Sequence, residues 1–313
     1  MFPPQLTVPP QKIPVRLDKF LVEKFPTTSR AFWKKHLLKS LRVDGRSPKK
    51  GLLLRGGESL QFLKTLSLET PPEADPSVEA KVLLEDSSFL IVEKPSGLPV
   101  HPLEAGERKT LVQGVLVFYP EIASVGDPRE MGLVHRLDNE TSGLVLIART
   151  EEAYDFLREE FRKHRVEKEY LALVHGNLKK KREGTWEKIE FPIAHHPKNK
   201  KKMVVVEESR QEKISKKEPR EAVTFYQVEK NLPHFTLLRV SIPTGVRHQI
   251  RVHLSHLGHP IVGDALYGGK GERLFLHAAR LSFRHPLTFK KVECHSPLPE
   301  DLKSLLDRCI LER

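Results

Sequence analysis

The chain is poor in the residues that most often announce a metal, a disulfide framework or a membrane. Two cysteines, Cys294 and Cys309, stand among 313 residues. Neither sits in a paired Cys-x-x-Cys spacing, which excludes a zinc ribbon and a disulfide-stapled fold. No apolar run approaches the roughly 20 residues of a membrane-spanning helix, so no membrane partner is expected. The opening residues, MFPPQLTVPPQKIP, lack the basic-then-apolar order of a secretory signal. Together these absences predict a cytoplasmic protein with reduced, buried thiols. Nucleotide-binding glycine motifs are missing as well. His248, His253 and His256 fall at helical spacing, but no carboxylate or cysteine pattern completes a ligand set. Neither a metal nor any other cofactor is expected.

What the chain has is positive charge, unevenly placed. The formal net charge is +12, with 38% hydrophobic and 30% charged residues, the balance of a globular protein with a modest core. Between Val15 and Leu66 there are 13 Lys and Arg against 4 Asp and Glu; between His195 and Arg220 there are 9 against 4. The remainder is close to neutral. Two basic segments on a neutral body suggest two local contacts with a polyanion.

Five prolines make residues 1–14 read as an extended, mobile tail. Residues 15–66 then read as a small module of their own. Leu17, Phe20 and Leu21 recur at helical spacing before Pro26, and Ser29 is placed to cap a second helix, Arg30 to Lys39. Asp44-Gly45 and Gly56-Gly57 are turn signals before the strand-like Ser59 to Phe62. Proline and acid dominate residues 67–79, which read as a linker.

From Ala80 onward the pattern alternates strands and helices. Val82 to Leu84 and Phe89 to Val92 are strand-like, and Thr110 to Phe118 is helical up to Pro120. Leu133-Val134 and Leu144 to Ala148 are apolar runs around a polar loop, His135 to Gly143, which should present Arg136 and Asp138 at the rim of a sheet. Taken alone, that stretch is a hairpin with an aspartate in its turn. Thr150 is placed to cap a helix with Glu151 and Glu152 in its first turn. Tyr170 to Val174 is apolar on both faces, as a sheet-buried strand is. Residues 195–219 are charged and read as an exposed basic loop or insertion. Two further strands, Ala222 to Val228 and Phe235 to Ile242, precede a helix from His248 to Leu257, stopped by Gly258. On that helix Arg247 and Arg251 are four apart and should share a face. An amphipathic helix from Glu300 to Leu311 closes the chain.

The succession RLDKFL, SRAFWKKHLL, LRVDGR and LRGGESLQF resembles the RNA-binding module named after small-subunit ribosomal protein S-four. The resemblance implies a small α+β domain whose first helices offer Arg16, Arg30, Lys34, Lys35 and Lys39 to RNA phosphates, contacts that position without reading sequence. Beyond it, the ordered set VEKPSGLPVHP, HRLDNETSG, KEYLALVHG, TGVRHQIRVH with GHPIVGD, and FLHAARLSF resembles the RluA family of RNA pseudouridine synthases. That resemblance implies an α+β fold: a mostly antiparallel mixed sheet flanked by helices over residues 80–313, with the active site in a cleft across it.

It also implies that Asp138 is the catalytic carboxylate, with Arg251 paired to it and Tyr170 packed against the target base. Leu276 falls at the apolar pocket position. Arg136, with His135 beside it, matches the segment that helps extrude the uridine. Where the family has Arg or Lys directly after Thr-Gly, this chain has Val246 followed by Arg247, a departure that touches a secondary RNA contact of the family and not the catalytic set; Arg247 is the substrate-binding candidate there. The implied activity breaks the nitrogen–carbon bond of uridine, turns the base and rejoins it through carbon 5. Nothing is oxidised or hydrolysed, so the chemistry needs no cofactor. One carboxylate suffices, either attacking the anomeric carbon or removing the proton on the neighbouring sugar carbon. Both roles need an ionised carboxylate, and an arginine opposite it favours that form. The implied partner is structured RNA, ribosomal RNA of the large subunit being favoured over transfer RNA, and the implied state a monomer. A non-catalytic RNA-binding assembly factor is the alternative.

Overall fold

Within residues 5–62 the turn glycines and apolar positions produce two small sheets around one apolar cluster. The computed structural model describes residues 3–25, 33, 40–49, 51–63, 72–103, 106–178, 184–207 and 219–311. Strands β1 (Gln5–Thr7), β3 (Leu41–Val43) and β5 (Ser59–Phe62) form one sheet in the order β1-β5-β3. Strands β2 (Val15–Arg16) and β4 (Leu53–Leu54) form the other, with helix α1 (Leu17–Lys24) between them in sequence. Val8, Leu17, Phe20, Leu21, Trp33, Leu41, Leu54 and Leu60 are buried together. The Asp44-Gly45 turn forms as its sequence dictates: both residues have positive φ, and Val43 and Arg46 exchange hydrogen bonds of 2.8 and 3.0 Å.

The proline-rich start departs from the expected mobile tail. Gln5–Thr7 pairs antiparallel with Ser59–Gln61, and Val8 is buried. The prolines flank the paired residues instead of interrupting them, so the missing N–H groups fall outside the ladder. Gly56 makes the approach possible, since a Cβ there would stand 2.6 Å from Pro10 Cα. Of the second helix expected over 30–39, all but Trp33 lies outside the described residues, as do residues 67–71 of the linker.

Among the described residues the main sheet has nine strands. They are β6 (Lys81–Glu85), β7 (Phe89–Lys94), β8 (Ser142–Ala148), β9 (Glu167–His175), β10 (Glu187–Glu190), β13 (Val223–Asn231), β14 (Phe235–Ser241), β15 (Leu276–Arg284) and β16 (Lys291–His295). Their order is β10-β13-β14-β9-β15-β8-β7-β6, with β16 also on β15. Every pairing is antiparallel except that of β8 with β15, which touch through Ser142–Gly143 and His277–Ala278. The sheet is mixed and mostly antiparallel, as the resemblance implied. Two apolar clusters fill its two faces. Leu90, Val92, Val145 and Ile147 join one; Phe89, Ile91, Leu144 and Leu146 join the other. Strands covered on both sides carry unbroken apolar runs.

Helices α2 (Leu111–Leu116), α4 (Gln249–His256) and α5 (Glu300–Leu311) contribute Val112, Ile250, Leu254 and Leu302 to the first cluster. Helix α3 (Glu151–Arg162), capped by Thr150 through a 3.2 Å bond from the Ala153 N–H, contributes Ala153, Tyr154 and Leu157 to the second. No helix among the described residues is long and apolar enough to cross a membrane. Cys294 and Cys309 are both buried.

Three further expectations change. Leu133 makes one bridge to Ile147 but no strand forms there. Part of the segment read as a basic loop is a hairpin: β11 (Ile193–His195) pairs with β12 (Met203–Val205). Ile193 and Met203 supply the apolar anchor for it, in a satellite cluster with Ala222, Val246 and Val252; residues 208–218 lie outside the described set. Helix α4 begins one residue after Arg247's neighbour His248, whose φ of 56° is left-handed. Arg247 therefore stands outside the helix and does not share a helical face with Arg251.

Candidate active site

The polar loop 135–141 leads into β8 and is fixed from three directions. From behind, the Lys94–Gly97 turn grips its backbone. Lys94 is fully buried, and its Nζ donates to the carbonyls of Pro95, Leu98 and Asn139 at 2.8, 2.9 and 2.7 Å. The Gly97 N–H donates to the Asn139 carbonyl and the Ser96 hydroxyl to that of Glu140. Burial pulls the Lys94 ammonium down to about 7, with Asp138's charge working against that shift. At the front of the loop, the Leu146 N–H donates to His135 Nε2 at 3.0 Å, and the ring stacks on Phe161 at 4.8 Å. At the far end, Gly143 packs on β15 so closely that a Cβ would lie 2.3 Å from the Ala278 carbonyl oxygen. Its φ of 117° suits glycine alone.

Asp138 projects from this loop, about a fifth exposed. It lies where two cavities meet, of about 870 and 800 Å³. Tyr170, Leu276 and Lys168 line the larger with α3; Pro99, Val100, His101 and Lys201 line the smaller. Arg136, Arg247, His248 and Arg251 border both. The structure therefore brings Asp138, Tyr170, Arg251 and Leu276 into one cleft from a loop, a central strand, a helix and a neighbouring strand.

Arg251 is buried and divides its guanidinium between two carboxylates. Nε and Nη2 bind Asp264 at 2.7 and 2.8 Å, while Nη1 reaches Asp138 Oδ2 at 3.4 Å. Burial alone would lower its pKa; the bonds and charge of Asp264, joined by Asp138, raise it above the ordinary value. The Tyr267 ring lies 5.4 Å from the same guanidinium, and its hydroxyl accepts the Met203 N–H at 2.8 Å and meets His248 Nδ1 at 2.9 Å. His248 Nε2 stands 3.9 Å from Asp138 Oδ2. Burial lowers its pKa to about 4, so the ring is neutral near pH 7. Tyr170 is buried in the floor, and burial, aided by Asp138's charge, pushes its phenol above the usual range.

The other residues singled out from the sequence fall as follows. Arg136 is exposed at the mouth of both cavities. Arg247 is exposed and reaches the carbonyls of Lys200 and Lys201 at 3.4 Å each, so it touches the basic hairpin. Val246, where the family has a base, is a core residue of the satellite cluster. His135 borders the larger cavity, but its Nε2 is committed to Leu146. Arg16 forms a two-bond pair with the buried Asp18 at 3.0 and 3.1 Å. Arg30, Lys34, Lys35 and Lys39 lie outside the described residues. His253 spends both ring nitrogens on Thr224 Oγ1 and the Phe191 carbonyl.

Sequence reading missed Asp264, Lys94, His248 and Tyr267 as members of the site. Each lies inside a motif already singled out, or three residues beyond it, but nothing in the spacing says which charged residue faces which.

The cleft is built on a mixed sheet, with one aspartate held opposite a buried arginine and a buried tyrosine beside them. The family model described as RNA pseudouridylate synthase matches residues 88–256. The chain is 37% identical over 321 residues to a ribosomal large subunit pseudouridine synthase D of Xanthomonas campestris pv. campestris, covering 96% of this chain and 91% of the relative. It is 32% identical to the protein of that name in Haemophilus influenzae, covering 97% and 95%. Among solved structures, human RNA pseudouridylate synthase domain containing 4 superposes with a TM-score of 0.56 at 24% identity, over 74% of this chain and 94% of that one. The chain belongs to the RNA pseudouridylate synthase family. Its members are isomerases that act on uridine in RNA.

Proposed function

We propose that this protein converts specific uridines of large-subunit ribosomal RNA to pseudouridine, with Asp138 as the essential carboxylate. The observation that carries the reading is Asp138 at the meeting of the two cavities, 3.4 Å from the buried Arg251. The positive charge opposite favours the ionised form that either route requires, attack on the anomeric carbon or removal of the neighbouring sugar proton. Arg251 is itself held by Asp264, so its position does not depend on the substrate.

The target base has to leave its stack to reach Asp138, at a cost of a few kcal/mol. Tyr170 and Leu276 recover part of that by ring and apolar contact in the floor of the cleft. Arg136, exposed at the mouth, fills the place the uridine vacates. Arg247 and the basic hairpin beyond it meet flanking phosphates, with His135 holding the loop from which Arg136 and Asp138 project. Residues 15–66, resembling the module of ribosomal protein S-four, anchor the enzyme on structured RNA through Arg30, Lys34, Lys35 and Lys39. Arg16, paired with Asp18, serves the module's own packing. Residues 80–313 form the catalytic domain, working as a monomer in the cytoplasm.

Ribosomal RNA is favoured as substrate because the similar bacterial proteins bear names that specify the ribosomal large subunit. The test is tritium release from transcripts labelled at carbon 5 of uridine. Release from large-subunit RNA, absent with transfer RNA and abolished by Asp138→Asn, is the expected result. Release that survives Asp138→Asn overturns the catalytic assignment; release from transfer RNA alone overturns the substrate.

A further inference from the structure

Lys168 is a buried lysine in the cleft to which the chemistry above gives no task. Strand β9 alternates, placing Lys168, Tyr170 and Ala172 on its buried face. Lys168 is thus two residues from the floor tyrosine on the same face, about 7 Å along the strand. It lines the same cavity as Asp138, Tyr170 and Leu276. Its relative exposure is 8%, and burial pulls its pKa down to about 8.

Among the described residues Lys168 makes no ion pair, although Asp138, Asp155 and Glu159 border the same cavity. Glu167 and Glu169, its neighbours in sequence, lie on the opposite face of β9, where Arg280 takes them at 2.9 and 2.6 Å. From helix α3, Glu159 is bound by Arg162 and Lys163. Nζ rests 5.7 Å over the Phe161 ring, a contact that helps a cation but does not neutralise it. Beside it stands Gly245, where an added Cβ would meet Nζ at an ordinary van der Waals distance of 3.9 Å, and both residues line the cavity. Among the described residues no carboxylate lies within ion-pairing distance of Lys168. A desolvated ammonium without a counterion is costly in any fold, and it persists where a ligand brings the missing charge.

We propose that Lys168 is the binding site for a backbone phosphate of the target nucleotide or its immediate neighbour. The inference rests on the isomerase reading for the identity of the RNA and on the structure for the charge. With the base on Tyr170, the sugar above Asp138 leaves its phosphates within the cleft, at the distance from Tyr170 where Lys168 stands. Such a contact fixes the strand relative to the carboxylate and reads no sequence, so Lys168 is a positioning residue.

The experiment compares the full-length chain with Lys168→Met and Lys168→Arg, using large-subunit ribosomal RNA transcript labelled at carbon 5 of uridine. Binding is measured across a salt series, and turnover by tritium release. For Lys168→Met, the slope of log affinity against log salt is expected to be shallower by about 0.7 to 0.9, the value for one phosphate. KM rises about tenfold while kcat changes far less, and Lys168→Arg restores both. Methionine keeps the packing on Phe161 and removes a buried charge, so a merely structural lysine would leave slope and KM where they were. A parallel test needs no variant: one uncharged methylphosphonate linkage beside the target uridine weakens wild-type binding about tenfold and leaves Lys168→Met binding unaltered. An unchanged salt slope in Lys168→Met, or equal sensitivity of both proteins to the uncharged linkage, overturns the proposal. Absence of tritium release from wild type defeats the isomerase reading instead, and the binding slopes still decide the phosphate contact.

Discussion

Arg251 faces Asp138 through one nitrogen, Nη1, at 3.4 Å. Its other two are spent on Asp264 at 2.7 and 2.8 Å. The longer contact belongs to the proposed catalytic carboxylate, and the tight fork to a fully buried aspartate. Such a division keeps a fixed positive charge beside Asp138 without locking the carboxylate in a two-bond pair, leaving one oxygen available to the substrate.

Asp264→Asn should therefore disable the site from behind. It leaves Arg251 buried with only the looser contacts to Asp138 at 3.4 Å and to the exposed Glu140 at 3.7 Å, and removing one partner of a buried pair typically costs about 3–5 kcal/mol. Urea unfolding should show that loss, and tritium release should fall steeply because Nη2, released from Asp264, can then join Nη1 on Asp138. The double change Arg251→Met, Asp264→Leu should recover most of the stability but none of the turnover. Recovery of turnover would show that the guanidinium is not needed.

Gly143→Ala tests the single parallel contact of the sheet. The added methyl carbon would stand 2.3 Å from the Ala278 carbonyl oxygen, at a φ of 117°. Overpacking against backbone together with that strain should cost about 3 kcal/mol or more. The loss should appear as a lowered unfolding midpoint accompanied by reduced kcat, since the loop bearing Asp138 runs directly into Gly143. A variant with wild-type stability would mean that β8 and β15 can part at no cost.

His135 gives the fold a pH dependence of known sign. Its Nε2 accepts the Leu146 N–H, which requires a neutral ring. Burial, with Lys168 adding to it, holds the pKa at about 3. The unfolded ring titrates near 6.5. Between those values the unfolded chain binds a proton that the folded chain refuses, so stability is full above about 6.5 and drains away as pH falls towards 3. His135→Gln should narrow the difference between urea midpoints at about pH 7.5 and pH 5. An equal difference in both proteins would show that other groups carry the acid sensitivity.

Removing residues 1–66 should weaken binding to large-subunit RNA and flatten its salt dependence, while turnover on short uridine-containing fragments survives. Among the described residues the apolar cluster of the small unit draws only on residues up to 62, and none of them belongs to the clusters of the main sheet. Unchanged affinity for the long RNA would remove the anchoring role of Arg30, Lys34, Lys35 and Lys39.

Much of the fold was legible because local patterns set it. Helix α5 falls on the residues its amphipathic spacing indicated, Thr150 caps α3 as placed, and the Asp44-Gly45 turn has the backbone its residues prefer. Continuous apolar runs marked β7 and β8 as strands, and both prove to be covered on their two faces. The errors were of pairing. Gln5–Thr7 is too short and too flanked by proline to read as a strand, and becomes one only because Ser59–Gln61 offers it an edge. The basic stretch after His195 hides a hairpin whose anchor, Ile193 and Met203, is defined by Val246 and Val252 far along the chain.

The same division holds at the site. By itself the sequence determined that one aspartate sits in a rigid loop, that Tyr170 lies in a central strand and that Arg251 rides a helix, because hydrophobic periodicity and turn chemistry act within a few residues. Only the tertiary structure decided that Arg251 belongs first to Asp264, that Lys94 spends its ammonium on three carbonyls, and that Lys168 is buried in the cleft without an ion pair among the described residues. Charges choose partners by distance in space, and in a mixed sheet those distances are fixed by strands more than a hundred residues apart.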